Sequence, residues 1–147
     1  MRRNIIAVGL LCLALSITTA CRRGDEYGVL VAKFDDDGPL FKTKIFLPAA
    51  EDNYRFNFEL RQGNTVCSLT GQLGGKELPD AENCGGIRGD GKISCNDDRS
   101  RRLRWSMTSC SAGHGRSVGK KGRHFYFGFD HNKDRALDQL AKAQRTN

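Results

Sequence analysis

The sequence has no apolar run long enough to cross a bilayer as a helix. Its longest, Ile5 to Ile17, covers about thirteen residues, against the roughly 20 that a hydrocarbon core requires. It also lacks closely spaced cysteine pairs. Zinc ligands usually come as C-x2–4-C, and among Cys67, Cys84, Cys95 and Cys110 no two stand that near. No metal site and no cofactor are therefore expected. There is no G-x-S-x-G nucleophile elbow. The glycine-rich run GHGRSVGKKG at 113–122 approaches a phosphate loop and misses it twice. A G-x-x-x-x-G-K-[ST] motif would need Gly where His114 stands and Ser or Thr where Lys121 stands. Acids are in short supply too, with 17 Asp+Glu against 24 Lys+Arg and a net charge of +7. A surface of that sign favours anionic partners.

The N-terminus supplies an address. Arg2 and Arg3 precede the apolar run, and small residues Thr18, Thr19 and Ala20 follow it. Charge, apolar core and small residues in that order mark a secretion signal over 1–20. The stretch Ile17-Thr18-Thr19-Ala20-Cys21 resembles a bacterial lipobox. The resemblance implies a lipoprotein whose Cys21 carries a diacylglyceryl group and an amide-linked chain such as palmitate. Thr18 stands where that pattern usually has Leu, and Thr18 with Ala20 equally suits ordinary cleavage, so both routes stay open. Parity favours the lipid. Cleavage leaves Cys21, Cys67, Cys84, Cys95 and Cys110, and an odd cysteine in an oxidising compartment needs a use. With Cys21 lipidated, four remain for two disulfides. Arg22 rather than Asp after the cysteine resembles an outer-membrane address facing the periplasm; a soluble periplasmic or secreted form is the alternative. Residues 21–26 read as a tether and 27–147 as one domain.

Within that domain the pattern is β. Tyr27–Phe34 and Leu40–Leu47 are rich in strand formers around the turn Asp35-Asp36-Asp37-Gly38-Pro39. Tyr54, Phe56, Phe58 and Leu60 alternate with Arg55, Asn57, Glu59 and Arg61. A period of two over eight residues means one buried and one wet face. Gln62-Gly63-Asn64 turns the chain into Thr65–Leu73. Residues 74–92 read as a loop holding Cys84, followed by a short strand at 92–95. Leu103, Trp105 and Met107 alternate with Arg102, Arg104 and Ser106. The run 113–122 reads as a flexible hairpin tip leading into Arg123–Phe129. From Lys133 to Arg145 the period lengthens, with Leu137, Leu140, Ala141 and Gln144 on one helical face and Asp130 or Asn132 as the N-cap. The expected fold is mainly β, a small antiparallel sandwich or barrel with a short C-terminal helix. Four cysteines allow three pairings; Cys67 with Cys84 and Cys95 with Cys110 is the neat one.

Chemistry-bearing groups are few. Ser109, Ser111 and Ser117 lie near His114, with Asp130 or Asp134 as acids and His131 as a second base, but a triad is defined by geometry. His114, between two glycines, is expected to be exposed. Arg88-Gly89-Asp90 reads as a turn. The densest charge is Arg101, Arg102 and Arg104, which Arg116, Lys120 and Lys121 would join across a hairpin. Such a face suits phosphate or carboxylate groups. Asp35 to Asp37 is the obvious acidic patch.

Residues 94–129, S-C-N-D-D-R…R-W-S-M-T-S-C-S-A-G-H-G-R-S…G-R-H-F-Y-F-G-F, resemble a small β module of uncharacterised proteobacterial envelope lipoproteins. The resemblance carries no activity. The function expected is a non-enzymatic, lipid-anchored envelope binder, of the inhibitor or immunity type, acting on an envelope protein or anionic envelope polymer. A structural or assembly lipoprotein and a small exported hydrolase are the alternatives. Export makes nucleic acid a poor partner.

Overall fold

A computed structural model describes residues 26–74, 84–119 and 124–146. The signal segment, Cys21, Lys120 and Lys121 lie outside the described residues. Eight antiparallel strands follow one another: β1 Tyr27–Phe34, β2 Phe41–Phe46, β3 Phe56–Gln62, β4 Thr65–Leu73, β5 Arg88–Cys95, β6 Ser100–Ser109, β7 Ala112–Ser117 and β8 Phe125–Asp130. The helix α1, Lys133–Arg145, ends the fold. The sheet order is β2-β1-β8-β7-β6-β5-β4-β3. Nearly every strand pairs with its neighbour in sequence, and β1 pairs with β8, so the first and last strands meet. The sheet thus curls into a nearly closed barrel whose seam lies between β2 and β3. Gln62 Nε2 donates across that seam to Leu40 O at 3.4 Å.

Alternation fills the interior. Leu30, Phe41, Leu60, Leu69, Ile93, Leu103, Met107, Phe125, Phe127 and Phe129 are all essentially sealed from water. Phe56 stacks on Phe58 at 4.8 Å and meets Trp105 edge-on at 5.4 Å. An eight-stranded barrel is just wide enough to be filled by its own side chains, and these rings fill this one. Glycine makes room for them. A Cβ on Gly113 would stand 2.6 Å from the Phe129 ring.

The outer face is wet except under α1. Val31 and Tyr126 there pack against Ala136, Leu140 and Ala143. The helix therefore buries Ala136, Gln139, Leu140 and Ala143, a face turned from the expected Leu137-Leu140-Ala141-Gln144 stripe. Small residues face the sheet because α1 lies directly on Gly128, where a Cβ would stand 2.6 Å from Ala136 O. Asn132 is the N-cap, its side chain accepting from Arg135 N at 3.0 Å.

Three local expectations are corrected. The 113–122 run is not a hairpin tip throughout, since 112–117 form β7 beneath the helix. Arg88-Gly89-Asp90 is not a turn but the start of β5, which begins four residues before the expected Lys92. Gly89 lies opposite Trp105, whose Nε1 donates to Asp90 O at 3.1 Å. The disulfides join Cys67 to Cys95 and Cys84 to Cys110, not the neat pairing. Register decides this. Cys67 and Cys95 are direct cross-strand partners in β4 and β5. Cys84 runs beside the end of β6, where Gly86 N donates to Met107 O at 3.0 Å. Loops closed by about 27 residues give each bridge roughly 3.5 kcal/mol by chain entropy. Two disulfides belong to a protein that matures in an oxidising, exported compartment. Among the described residues, no helix is long and apolar enough to cross a membrane.

Candidate functional site: a basic cleft on the outer sheet face

The outer face of β3 to β6 is polar and largely exposed. An open cleft of about 970 Å³ lies there, lined by Asp52, Arg55, Asn57, Thr70, Gln72, Asp90, Lys92 and Arg102, among others. The strand register assembles it. Asn57 lies opposite Thr70, Thr70 opposite Lys92, and Lys92 opposite Arg102. One row along, Gln72, Asp90, Arg104 and Arg116 are successive partners. Two like-charge pairs, Lys92 with Arg102 and Arg104 with Arg116, therefore face each other directly across strands. Each such pair costs a few tenths of a kcal/mol to about 1 kcal/mol in the bare protein. Asp90 beside Arg104 offsets part of it. Arg55, Lys92, Arg102 and Arg104 make no ion pair within 4.0 Å among the described residues.

The cleft's β3 rim holds unusual backbone. The short 3-10 turn Ala50–Asp52 ends at Asn53, and both Asn53 (φ 51°) and Tyr54 (φ 52°) adopt the left-handed region. An aromatic residue there costs of order 1–3 kcal/mol and persists only when surroundings impose it. Here Tyr54 N donates to Ala49 O at 2.8 Å, and its hydroxyl lies 3.4 Å from Cys84 Sγ inside the core. That anchoring turns the next residue, Arg55, out to the cleft.

Of the sequence candidates, Arg102, Arg104 and Arg116 share one face. Arg101 does not, because alternation along β6 puts it opposite Ile93 on the inward side. The sequence reading missed Arg55 and Lys92. Alternation marks Arg55 as wet, but nothing local says that β3 lies beside β4 and β5 in the register that puts it in one cleft with Arg102.

The histidines and serines are held elsewhere. His114 is half-buried under α1 rather than exposed, its Nδ1 3.3 Å from Gln139 Oε1. Burial pushes its pKa below the usual 6.5; the Gln139 contact pulls it up and nearby Lys142 pushes it down again. Ser117 Oγ accepts from Phe125 N at 3.0 Å. His131 faces Glu26 at 3.6 Å. Among the described residues no serine hydroxyl lies within hydrogen-bond reach of a histidine. Asp35 and Asp36 are exposed, and each holds a neighbouring segment. Asp35 Oδ1 accepts from His124 N at 2.7 Å and Asp36 Oδ1 from Gln144 Nε2 at 3.0 Å. No group of three or more metal-ligating side chains comes together among the described residues.

No protein-family model, curated protein or solved structure matches this chain.

Proposed function

We propose that this is a non-enzymatic, lipid-anchored binding protein of the bacterial envelope, whose outer-face cleft takes an anionic partner. The single observation that carries this is the convergence of Arg55, Lys92 and Arg102 on one cleft without an acidic ion-pair partner. The barrel interior is filled, so recognition belongs to the surface. Guanidinium groups at Arg55, Arg102 and Arg104 suit carboxylate or phosphate, which they bind in a two-pronged geometry. The cleft also carries Asn57, Thr70 and Gln72, neutral hydrogen-bonding groups that give shape to the contact. An acidic surface segment of another envelope protein fits this mix of charge and amide better than a uniform polyanion. The two disulfides and the N-terminal signal pattern support export, and Cys21 is the lipid-bearing residue in this reading.

The test is capture from envelope extract by the tagged mature protein and by its Lys92→Glu/Arg102→Glu variant. One stoichiometric acidic protein is expected with the parent and none with the variant, with binding that weakens as salt rises. Equal capture by both would remove the cleft from the function.

A further inference from the structure

A second surface lies apart from the cleft, on the outer face of β1 and β2. Tyr27 and Phe46 are direct partners across these strands, with ring centroids 4.5 Å apart. They are 53% and 52% exposed, the two most exposed large apolar side chains among the described residues. Lys44 Nζ sits 4.3 Å over the Tyr27 ring. Alternation puts Lys42, Lys44 and Phe46 of β2 on this face together with Tyr27 and Val29 of β1. A mostly apolar groove of about 290 Å³ runs between them, lined by Tyr27, Val29, Lys42, Thr43, Lys44 and His131. The helix that covers the neighbouring outer face packs on Val31 and reaches Val29 only partly.

We infer that this aromatic and lysine-edged face seats the domain on an anionic bilayer. The inference rests on the lipid-anchor reading for its location, and chain length connects the two. Six peptide steps separate Cys21 from Tyr27, at most about 20 Å when fully extended. A lipid at Cys21 therefore holds the start of β1 within about 20 Å of the anchored lipid, a few headgroup layers at most. The residues placed there have the character of an interface. Tyr and Phe rings suit the headgroup boundary, and lysines within a Debye length of anionic headgroups gain attraction. Arg22 and Arg23 in the tether add the same sign. A lipid anchor alone would leave the barrel free to swivel. This face fixes its orientation, with β1 and β2 toward the lipid.

The experiment separates the seat from the anchor and from the cleft. Mature protein carrying Cys21→Ser is mixed with phosphatidylcholine vesicles, with and without phosphatidylglycerol, and bound protein is measured by sedimentation. Binding is expected only to the anionic vesicles. Lys42→Gln/Lys44→Gln should weaken it roughly thirtyfold, from two lysines at the surface, and Tyr27→Ser/Phe46→Ser should weaken it roughly tenfold or more. These side chains are exposed, and circular dichroism confirms that each variant is folded. Lys92→Gln/Arg102→Gln should bind like the parent. Loss of vesicle binding in that cleft variant alone, or no anionic binding by the parent, overturns the seat. Failure to find lipid on Cys21 in the mass of the native mature protein overturns the anchor, and leaves the vesicle result to stand or fall separately.

Discussion

Replacing Gly128 with alanine tests how α1 is held. Glycine in a strand interior normally weakens it, and alanine at a compatible position stabilises by about 0.4–1 kcal/mol through the unfolded state. Gly128 lies within β8 and is not among the glycines with positive φ, so its backbone accepts alanine. The obstacle is spatial. A new Cβ would stand 2.6 Å from Ala136 O and 2.8 Å from Gln139 C, with Leu140 N closer still. These are helix backbone atoms and cannot turn aside as a side-chain tip would. Ordinary Cβ contacts begin at 3.4 Å, so the helix must retreat by nearly an ångström. Overpacking of this kind costs typically 1–3 kcal/mol; taking about 2 kcal/mol, a domain of this size loses roughly 8 °C in Tm. Retreat also thins the contact of Leu140 and Ala143 with Val31 and Tyr126. Thermal melting of Gly128→Ala beside the parent reads the sign directly. Hydrogen exchange should show faster exchange in α1 while β4 and β5 keep their protection. A Tm equal to or above the parent's would refute the reasoning, because the entropic gain would then be acting alone.

Removing either bridge, as Cys67→Ala/Cys95→Ala or Cys84→Ala/Cys110→Ala, should cost about 3.5 kcal/mol in urea unfolding; peptide mapping that recovers Cys67 joined to Cys84 would defeat the topology outright. Gly89→Ala drives a methyl into the Trp105 ring and Gln72 O, so a loss of about 2 kcal/mol and altered fluorescence of the single tryptophan are expected, and an unchanged emission spectrum would count against it. His114 has its pKa lowered in the fold, so the unfolded chain takes up a proton first as pH falls. Its contribution is therefore complete above about pH 6.5 and is lost below that, down through the folded value. Melting across that window should be shallower in pH for His114→Gln, and parallel slopes for the two proteins would exclude the linkage.

The strands were readable wherever two conditions met, a one-sided core and side chains large enough to show it. Phe56 to Leu60 meets both, and β3 begins at Phe56, two residues after the alternation does, because Tyr54 is held in the left-handed region. β4 runs over the expected Thr65–Leu73. The pattern failed where glycine replaced the inward residue. In β7, Gly113 and Gly115 occupy the inward positions so that Phe129 and Phe127 can lie over them. Half of the alternation is therefore missing, and the segment resembles a loop. β5 was shortened for the same reason, since Gly89 and Gly91 sit where apolar residues would announce a strand. At Gly89, Gly113 and Gly115 the missing bulk is supplied by an aromatic ring from the adjacent strand, β6 or β8, while Gly91 faces the Thr70 and Gly71 backbone, so the signal is carried by two segments together.

The basic cleft was obscured by a different kind of information. Arg102 and Arg104 stood out because they are close in sequence, and alternation alone places them on one face. Arg55 lies 47 positions before Arg102 in the chain, and the two come to line one cleft through a succession of registers across β3, β4, β5 and β6. Each register depends on a one-residue choice, and a slip at any hairpin would turn every side chain beyond it to the other face. The disulfide between Cys67 and Cys95 pins one of those choices, because these residues can be bridged only as direct partners in β4 and β5. The bridge that stabilises the barrel therefore also fixes which cations share the cleft. Loss of Cys67–Cys95 should for that reason weaken partner binding at temperatures where the domain remains folded, whereas loss of Cys84–Cys110, which fastens the loop beside β6, should lower stability with less effect on affinity. Equal losses of affinity in the two variants would show that the bridge adds only stability and that the hairpin turns set the register unaided.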